Sequence, residues 1–326
     1  MTVLVTGVAG FIGFQTAREL LGRGNKVIGV DNLNDYYDVS LKQARLDVLS
    51  SYDKFYFECL NIADREAVDD LLSKHGDITR VIHLASQAGV RHSLVDPYAY
   101  TNSNIEGQLV LLEKCRKLSR LDHFVYASSS SVYGGNTKLP FSIQDPVDAP
   151  LSVYAASKRS MELLAYSYAH IYAIPLTGLR FFTVYGPWGR PDMAAMIFIR
   201  AILAGKSIPV FNNGDMRRDF TYIDDIVAGV MACLDKPPFA ANGRPPWRVY
   251  NIGNNQSEPL MRFISVLEEA LGNKADIDFQ PLQTGDVPET SADITETQRD
   301  LGYEPKTTID VGLPKLVVWY RDYYGT

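Results

Sequence analysis

The chain has 326 residues, 46% of them hydrophobic and 21% charged, with a formal net charge of −6. That length buries a core large enough for two domains, and the acidic balance excludes the global basic field that nucleic-acid binding requires. Cys59, Cys115 and Cys233 lie far apart with no CxxC pair, which argues against a disulfide framework or zinc site and for a reducing cytoplasm.

The start, Met1–Val5, is apolar but stops at Gly7 and has no basic lead, so it predicts a strand rather than a signal sequence. A glycine turn follows, then a helix over 14–23 and a second buried strand over 26–30 that ends at Asp31. The alternation continues with a strand at 54–57, a helix at 65–74, a strand at 80–84, a helix at 104–118 and a strand at 123–127. A long helix over 152–172 and a strand over 176–182 complete it. This rhythm predicts an α/β fold, a doubly wound parallel sheet with helices on both faces. After residue 183 Pro and Gly become frequent, with helical segments near 196–203, 222–234 and 260–271. Residues 1–182 therefore read as a Rossmann-like domain and 183–326 as a smaller α/β substrate lobe, with a return to the first domain near 220–234. No apolar run reaches the ~20 residues of a membrane span.

Gly7, Gly10 and Gly13 sit between strand and helix. In that context glycines permit a tight turn, close approach of a pyrophosphate and close helix–strand packing, while the helix N-terminus offers free N–H groups. No Gly-Lys-Ser/Thr follows, so this is not a P-loop. Asp31 stands at the spacing of an acidic residue that receives the adenosine ribose hydroxyls. Its charge repels a 2′-phosphate, and Asn32 and Leu33 supply no cation, which favours NAD over NADP.

Tyr154 and Lys158 are four apart and share a helix face. A free tyrosine ionises near ~10, so a phenolate at neutral pH needs about 4 kcal/mol of differential stabilisation. A neighbouring ammonium and an oxidised nicotinamide are of the right sign to provide it. The serine run Ser128–Ser131 ends a predicted strand, where ligands of open parallel sheets bind. No GxSxG elbow marks a serine hydrolase. The five histidines show no metal spacing, and His83 reads as a packed strand residue.

With TGVAGFIG, DNLND, VIHLASQAGVR, YASSSSVYG, YAASK, LRFFTVYGPWGRPDM and RRDFTYIDDI in view, the chain resembles the nucleotide-sugar epimerases among the extended short-chain dehydrogenases/reductases over essentially its whole length. FFTVYGPWGRPDM and DNLNDYYDVSLK resemble the UDP-glucuronate 4-epimerase group in particular. The resemblance implies Ser129, Tyr154 and Lys158 as catalytic residues, with Ser130 and Ser131 beside the sugar. It implies that Gly7, Gly10, Phe11, Ile12 and Gly13 bind the NAD pyrophosphate, and that Asp31, Asn32 and Asn34 bind the adenosine ribose. Asn61 and Ile62 would lie at the adenine, where many relatives have Asp in place of Asn61. Leu84, Ala85, Gln87, Asn104 and Tyr185 would line the cofactor. On the UDP-sugar side, Thr183 and Arg190 would face the sugar, Val210 and Phe211 the uracil, Arg218 the diphosphate and Asp286 a ribose hydroxyl. A homodimer paired through the helices at 104–118 and 152–172 is also implied.

The resemblance leaves several reactions open. Dehydratases carry Asp-Glu where this chain has Ser130-Ser131, and hydroxyls are poor general acids and bases for that elimination. UDP-glucuronate decarboxylases often carry Glu at the Ser131 position. A 4-epimerase acting on UDP-glucose or UDP-N-acetylglucosamine stays open, as does a non-catalytic NAD sensor. Arg190 is the expected grip on a sugar carboxylate, because a guanidinium matches its plane. Against this, Arg190 could pair with Asp192 and order its loop, and Arg91 is a second candidate.

Overall fold

A computed structural model describes residues 1–326. Strand β1 (Thr2–Thr6) leads into α1 (Phe11–Gly22), followed by β2 (Lys26–Asp31), α2 (Val39–Ser50), β3 (Phe55–Cys59), α3 (Arg65–Lys74) and β4 (Arg80–His83). Next come the short α4 (Pro97–Tyr100), a π-helical turn (Thr101–Glu106), α5 (Gly107–Cys115), β5 (His123–Ser129), α6 (Val153–Tyr172) and β6 (Leu176–Phe181). The second half holds β7 (Thr183–Tyr185), α7 (Ala194–Leu203), β8 (Ile208–Val210), β9 (Arg217–Tyr222), α8 (Ile223–Asp235) and β10 (Trp247–Ile252). It closes with β11 (Ser257–Pro259), α9 (Leu260–Leu271), β12 (Ile277–Phe279), α10 (Thr295–Leu301) and α11 (Ile309–Tyr324).

Seven strands form one sheet in the order β3-β2-β1-β4-β5-β6-β10, and every pairing is parallel. Alternate residues along each strand feed opposite faces, as the period of two requires. Val3, Val5, Val27, Ile82 and Val125 join α1 and α8 in one apolar core. Leu4, Ile28, Val81 and Phe124 join α3, α5 and α6 in the other. Burial on both faces explains why these strands are continuous apolar runs. Strand order reverses between β1 and β4, and that break in the winding opens the groove in which such sheets bind ligands.

Beyond residue 183 two small sheets form, β11-β9-β7 and β12-β8. The chain also returns to the large sheet, with α8 packing beside α1 and β10 taking the edge next to β6. The aromatic C-terminal residues lie on α11, where Trp319 packs on Trp188 with centroids 5.4 Å apart. No helix is long and apolar enough to cross a membrane.

Two of the differences from the sequence expectation bear on the site. The helix expected over 104–118 begins in the π turn, which rotates Asn104 inward. Helix α2 was not anticipated at all. Its buried face mixes Leu41, Leu46 and Leu49 with Lys42 and Arg45, so no clean apolar period marks it. Its N-cap was the readable signal, since the Asp38 side chain accepts from Ser40 N at 2.9 Å.

Candidate active site

A cavity of about 890 Å³ runs along the carboxyl ends of the sheet and into the second half of the chain. Its floor is the glycine turn. Gly7 has φ +71°, and its N–H and that of Val8 donate to Val30 O at 2.7 and 3.1 Å. A Cβ on Gly13 would stand 2.0 Å from Gly7 O, and one on Gly7 would stand 2.7 Å from Ala85 N. Glycine is therefore required for α1 to start directly under the turn and for the turn to lie against the end of β4. The N-cap of α1 is Gly10, which has no capping side chain. The first amides of α1 remain free for an anionic ligand.

At one end of the cavity, the Asp31 carboxylate accepts from Ala9 N (3.1 Å) and Leu33 N (2.9 Å). Asn32 and Leu33 supply no cation here, but α2 does. Lys42 comes from α2, is buried, and donates to Asn34 O (2.6 Å) and Asn34 Oδ1 (2.7 Å). Burial lowers its ammonium, and the charge of Asp31 partly restores it. Asn32, Asn34, Asn61 and Ile62 line this end, and Asn61 Oδ1 accepts from Ala63 N at 3.0 Å. Phe11, Ile12, Leu84, Ala85 and Gln87 continue the wall. Gln87 Nε2 is buried without a partner there. Free helix amides, an orphaned donor and a cavity near the upper end of small-molecule sites fit an extended dinucleotide.

Three expected cavity residues are placed elsewhere. Asn104 is fully buried behind the wall, where it accepts from Gln87 N (2.7 Å) and donates to Gln87 O (3.0 Å) and Ser157 Oγ (2.9 Å). It braces Gln87 instead of lining the groove. Tyr185 is buried among Phe220, Tyr222 and Phe263 and donates to Thr308 O at 3.2 Å. Val210 turns into the core while its neighbours Pro209 and Phe211 line the cavity, as strand alternation dictates.

Midway along the cavity, Ser152 caps α6 by accepting from Ala155 N at 3.1 Å. That cap fixes Tyr154 in the first turn and Lys158 one turn later. Lys158 Nζ donates to Ser86 Oγ (3.0 Å) and Ala127 O (2.9 Å) and lies 5.9 Å from the Tyr154 ring centre. Ser129 is the last residue of β5. Its Oγ donates to Ser131 Oγ and accepts from Ser131 N, each at 3.2 Å. Burial raises the Tyr154 phenol, while its hydrogen bond with Ser129 and the charge of Arg190 draw it back. Lys158 is pushed down to about 7, first by burial and then by repulsion from Arg190. Burial thus favours the protonated phenol in the protein alone. Ionising Tyr154 near neutral pH needs a further positive charge in the groove.

Glu162, on the same face of α6, had no place in the sequence reading. It accepts from Ser128 Oγ at 2.7 Å and pairs twice with Arg180, at 2.8 and 2.9 Å, all buried. It ties α6 to the ends of β5 and β6. The repeat Tyr154, Lys158, Glu162 at intervals of four was its visible signal. His83 is buried against Thr6 Oγ1 (2.8 Å), with burial pushing it down to about 3, so it stays neutral.

Farther along, Ser130, Ser131, Thr183 and Arg190 share the cavity with Ser129 and Tyr154. Arg190 lines the cavity and also pairs with Asp192, through Nε (3.0 Å) and Nη2 (2.5 Å). Tyr36 Oη donates to Asp192 at 3.1 Å. The far end collects Phe211, Arg218, Arg91 and Asp286. The Arg91 guanidinium stands 4.4 Å from the Phe211 ring centre and 3.2 Å from Asp286. Arg218 donates to Pro288 O at 2.9 Å, and burial lowers its guanidinium. Arg91 therefore belongs with this distal group, in contact with Phe211 and Asp286.

Comparison with known proteins adds a frame for this geometry. Residues 3–253 match the NAD dependent epimerase/dehydratase family. Among curated proteins, UDP-glucuronate 4-epimerase 4 of Arabidopsis thaliana is 48% identical over 335 residues, spanning 100% of this chain and 76% of that protein. Protein CapI of Staphylococcus aureus is 47% identical, with 99% of each chain covered. Among solved structures, UDP-glucuronic acid 4-epimerase from Bacillus cereus, in complex with UDP-glucuronic acid and NAD, superposes with a TM-score of 0.91. It is 35% identical, covering 99% of this chain and 100% of that one.

Proposed function

The chain belongs to the NAD dependent epimerase/dehydratase family, and from that premise we propose that it interconverts UDP-glucuronate and UDP-galacturonate as an NAD-dependent 4-epimerase. Bound in the groove, NAD would supply the hydride acceptor and donor for C4 of the sugar, so that the 4-keto intermediate can be reduced again on its opposite face. Gly7, Gly10, Phe11, Ile12 and Gly13 hold the pyrophosphate with backbone N–H groups, and Asp31 receives the adenosine ribose. Asn32, Asn34, Asn61, Ile62, Leu84, Ala85 and Gln87 complete that side.

Tyr154 removes the C4 hydroxyl proton and later restores it, while the Ser129 hydroxyl hydrogen-bonds the same oxygen as its charge develops. The Tyr154 phenolate would be favoured by the positive charge of an oxidised nicotinamide bound beside it. Lys158, held by Ser86 Oγ and Ala127 O, would bind the nicotinamide ribose beside Tyr154. Phe211 flanks the uracil, Arg218 binds the diphosphate and Asp286 the uridine ribose.

A 4-keto glucuronate is a β-keto acid and loses CO2 when its C5–C6 bond overlaps the carbonyl π system. Arg190 grips the carboxylate and keeps that bond out of alignment, helped by Ser130, Ser131 and Thr183. The observation that carries the reading is the presence of Arg190 in one cavity with Ser129 and Tyr154, where serines stand in place of catalytic carboxylates. Incubation with UDP-glucuronate, UDP-glucose and UDP-xylose, with products identified by NMR, tests it. UDP-galacturonate from the first substrate alone is expected. CO2 with a pentose product would identify a decarboxylase.

The proposal divides the chain into an NAD domain, 1–182, rejoined by the return segment near 220–234 and by β10, and a UDP-sugar lobe formed by the rest of 183–326. It includes a cytoplasmic setting, supported by three free cysteines. It also includes a homodimer, supported by Leu163, Tyr166 and Ile171 exposed on α6, which sedimentation would test.

A further inference from the structure

Arg45 of α2 is fully buried, yet none of its hydrogen-bond partners is a carboxylate. Nη1 donates to Ala9 O (2.7 Å) and Tyr37 Oη (2.8 Å), and Nη2 donates to Trp188 O (2.6 Å) and, more weakly, Gly189 O (3.4 Å). Nε finds no partner. Burying a guanidinium on neutral acceptors alone is costly, so its attachments to two separate parts of the backbone are informative. One is the glycine turn. The other is the two residues that precede Arg190.

That second attachment is under strain. Trp188 sits at φ +66°, in the left-handed region that a bulky side chain rarely adopts. The conformation aims its carbonyl at Arg45 and sends the chain through Gly189 into Arg190. A second strut runs alongside, from Gln15 Nε2 on α1 to Pro187 O at 3.2 Å. The loop carrying Arg190 is thus fastened to the cofactor side of the molecule, and Arg45 itself does not line the cavity.

We propose that Arg45 is a positioning residue for Arg190, coupling the glycine turn to the grip on the sugar carboxylate without touching the sugar. The inference rests on the assignment of Arg190 to that carboxylate. A guanidinium spans two carbonyls on opposite sides, and an ammonium has one nitrogen with which to do so. When the grip slackens, the C5–C6 bond of the 4-keto intermediate can align and break. Its electron pair then goes to C5, which takes a proton from water, CO2 departs and the cofactor is left as NADH.

The test is a double-mutant cycle with Arg45→Met, Arg190→Ala and the combined variant. KM and kcat for UDP-glucuronate, CO2 released per turnover and NAD bound per chain are measured. Arg45→Met should keep its NAD, raise KM by about tenfold and release CO2. It should add almost nothing in the Arg190→Ala background. Arg45→Lys should fall between wild type and Arg45→Met, and it carries the same cycle if the Met variant does not fold. Kinetics like wild type, losses that add to those of Arg190→Ala, or loss of NAD with no CO2 released would each overturn the coupling. An Arg190→Ala variant that behaves like wild type would instead overturn the carboxylate assignment itself.

Discussion

The two ends of the cavity are built from different materials. Around the glycine turn the ligand-facing groups are main-chain amides, and what matters is the absence of side chains at Gly7, Gly10 and Gly13. At the sugar and nucleotide end the work falls to long charged side chains, Arg218 on β9 and Arg190, Arg91 and Asp286 on loops, all far apart in sequence. A backbone site tolerates no added atom but has little to lose by charge substitution. A side-chain site keeps its fold when altered and loses affinity or selectivity instead.

Substitution at each end should reproduce that contrast. Gly13→Ala places a carbon 2.0 Å from Gly7 O. It should destabilise the protein by at least about 3 kcal/mol, seen as a large drop in Tm and loss of bound NAD. A folded variant with NAD bound would show that the turn has slack. Arg218→Met should leave Tm and NAD unaltered and raise KM for UDP-glucuronate by about 10- to 100-fold, the value of a lost charge-assisted contact. A matching fall in kcat with KM unchanged would place Arg218 on the reacting sugar instead.

The smallest effect concerns Lys158 between the two ends. Its folded-state value of about 7 lies below the ordinary 10.5, so the unfolded chain binds more protons between those values. Stability from this group therefore rises with pH across that window and is lowest below about 7. In the cofactor-free protein, the Tm of wild type relative to Lys158→Met should climb by a few degrees from pH 7 to pH 9. A flat difference would mean that the buried amine is not depressed.

The same contrast decides what could be read from sequence. Gly7, Gly10 and Gly13 were legible because local geometry demands glycine at fixed intervals, and the parallel sheet because its strands are buried on both faces. Tyr154 and Lys158 were legible as one helical face. Tyr185, Val210 and Asn104 were misplaced because motif position does not say which way a side chain turns in the fold. Arg45 and Lys42 were missed because they occupy core positions of α2, a helix whose apolar pattern they interrupt. The strand β10 was missed because it joins its sheet neighbour β6 from about seventy residues away.

The central claim is that a hydride leaves C4 of the sugar and returns to the same carbon with the carboxylate intact. UDP-glucuronate carrying deuterium at C4, incubated with the protein in ordinary water, tests this directly by NMR of the products. UDP-galacturonate with the deuterium still at C4 is expected. Deuterium lost to solvent, or a pentose product with CO2, would contradict it.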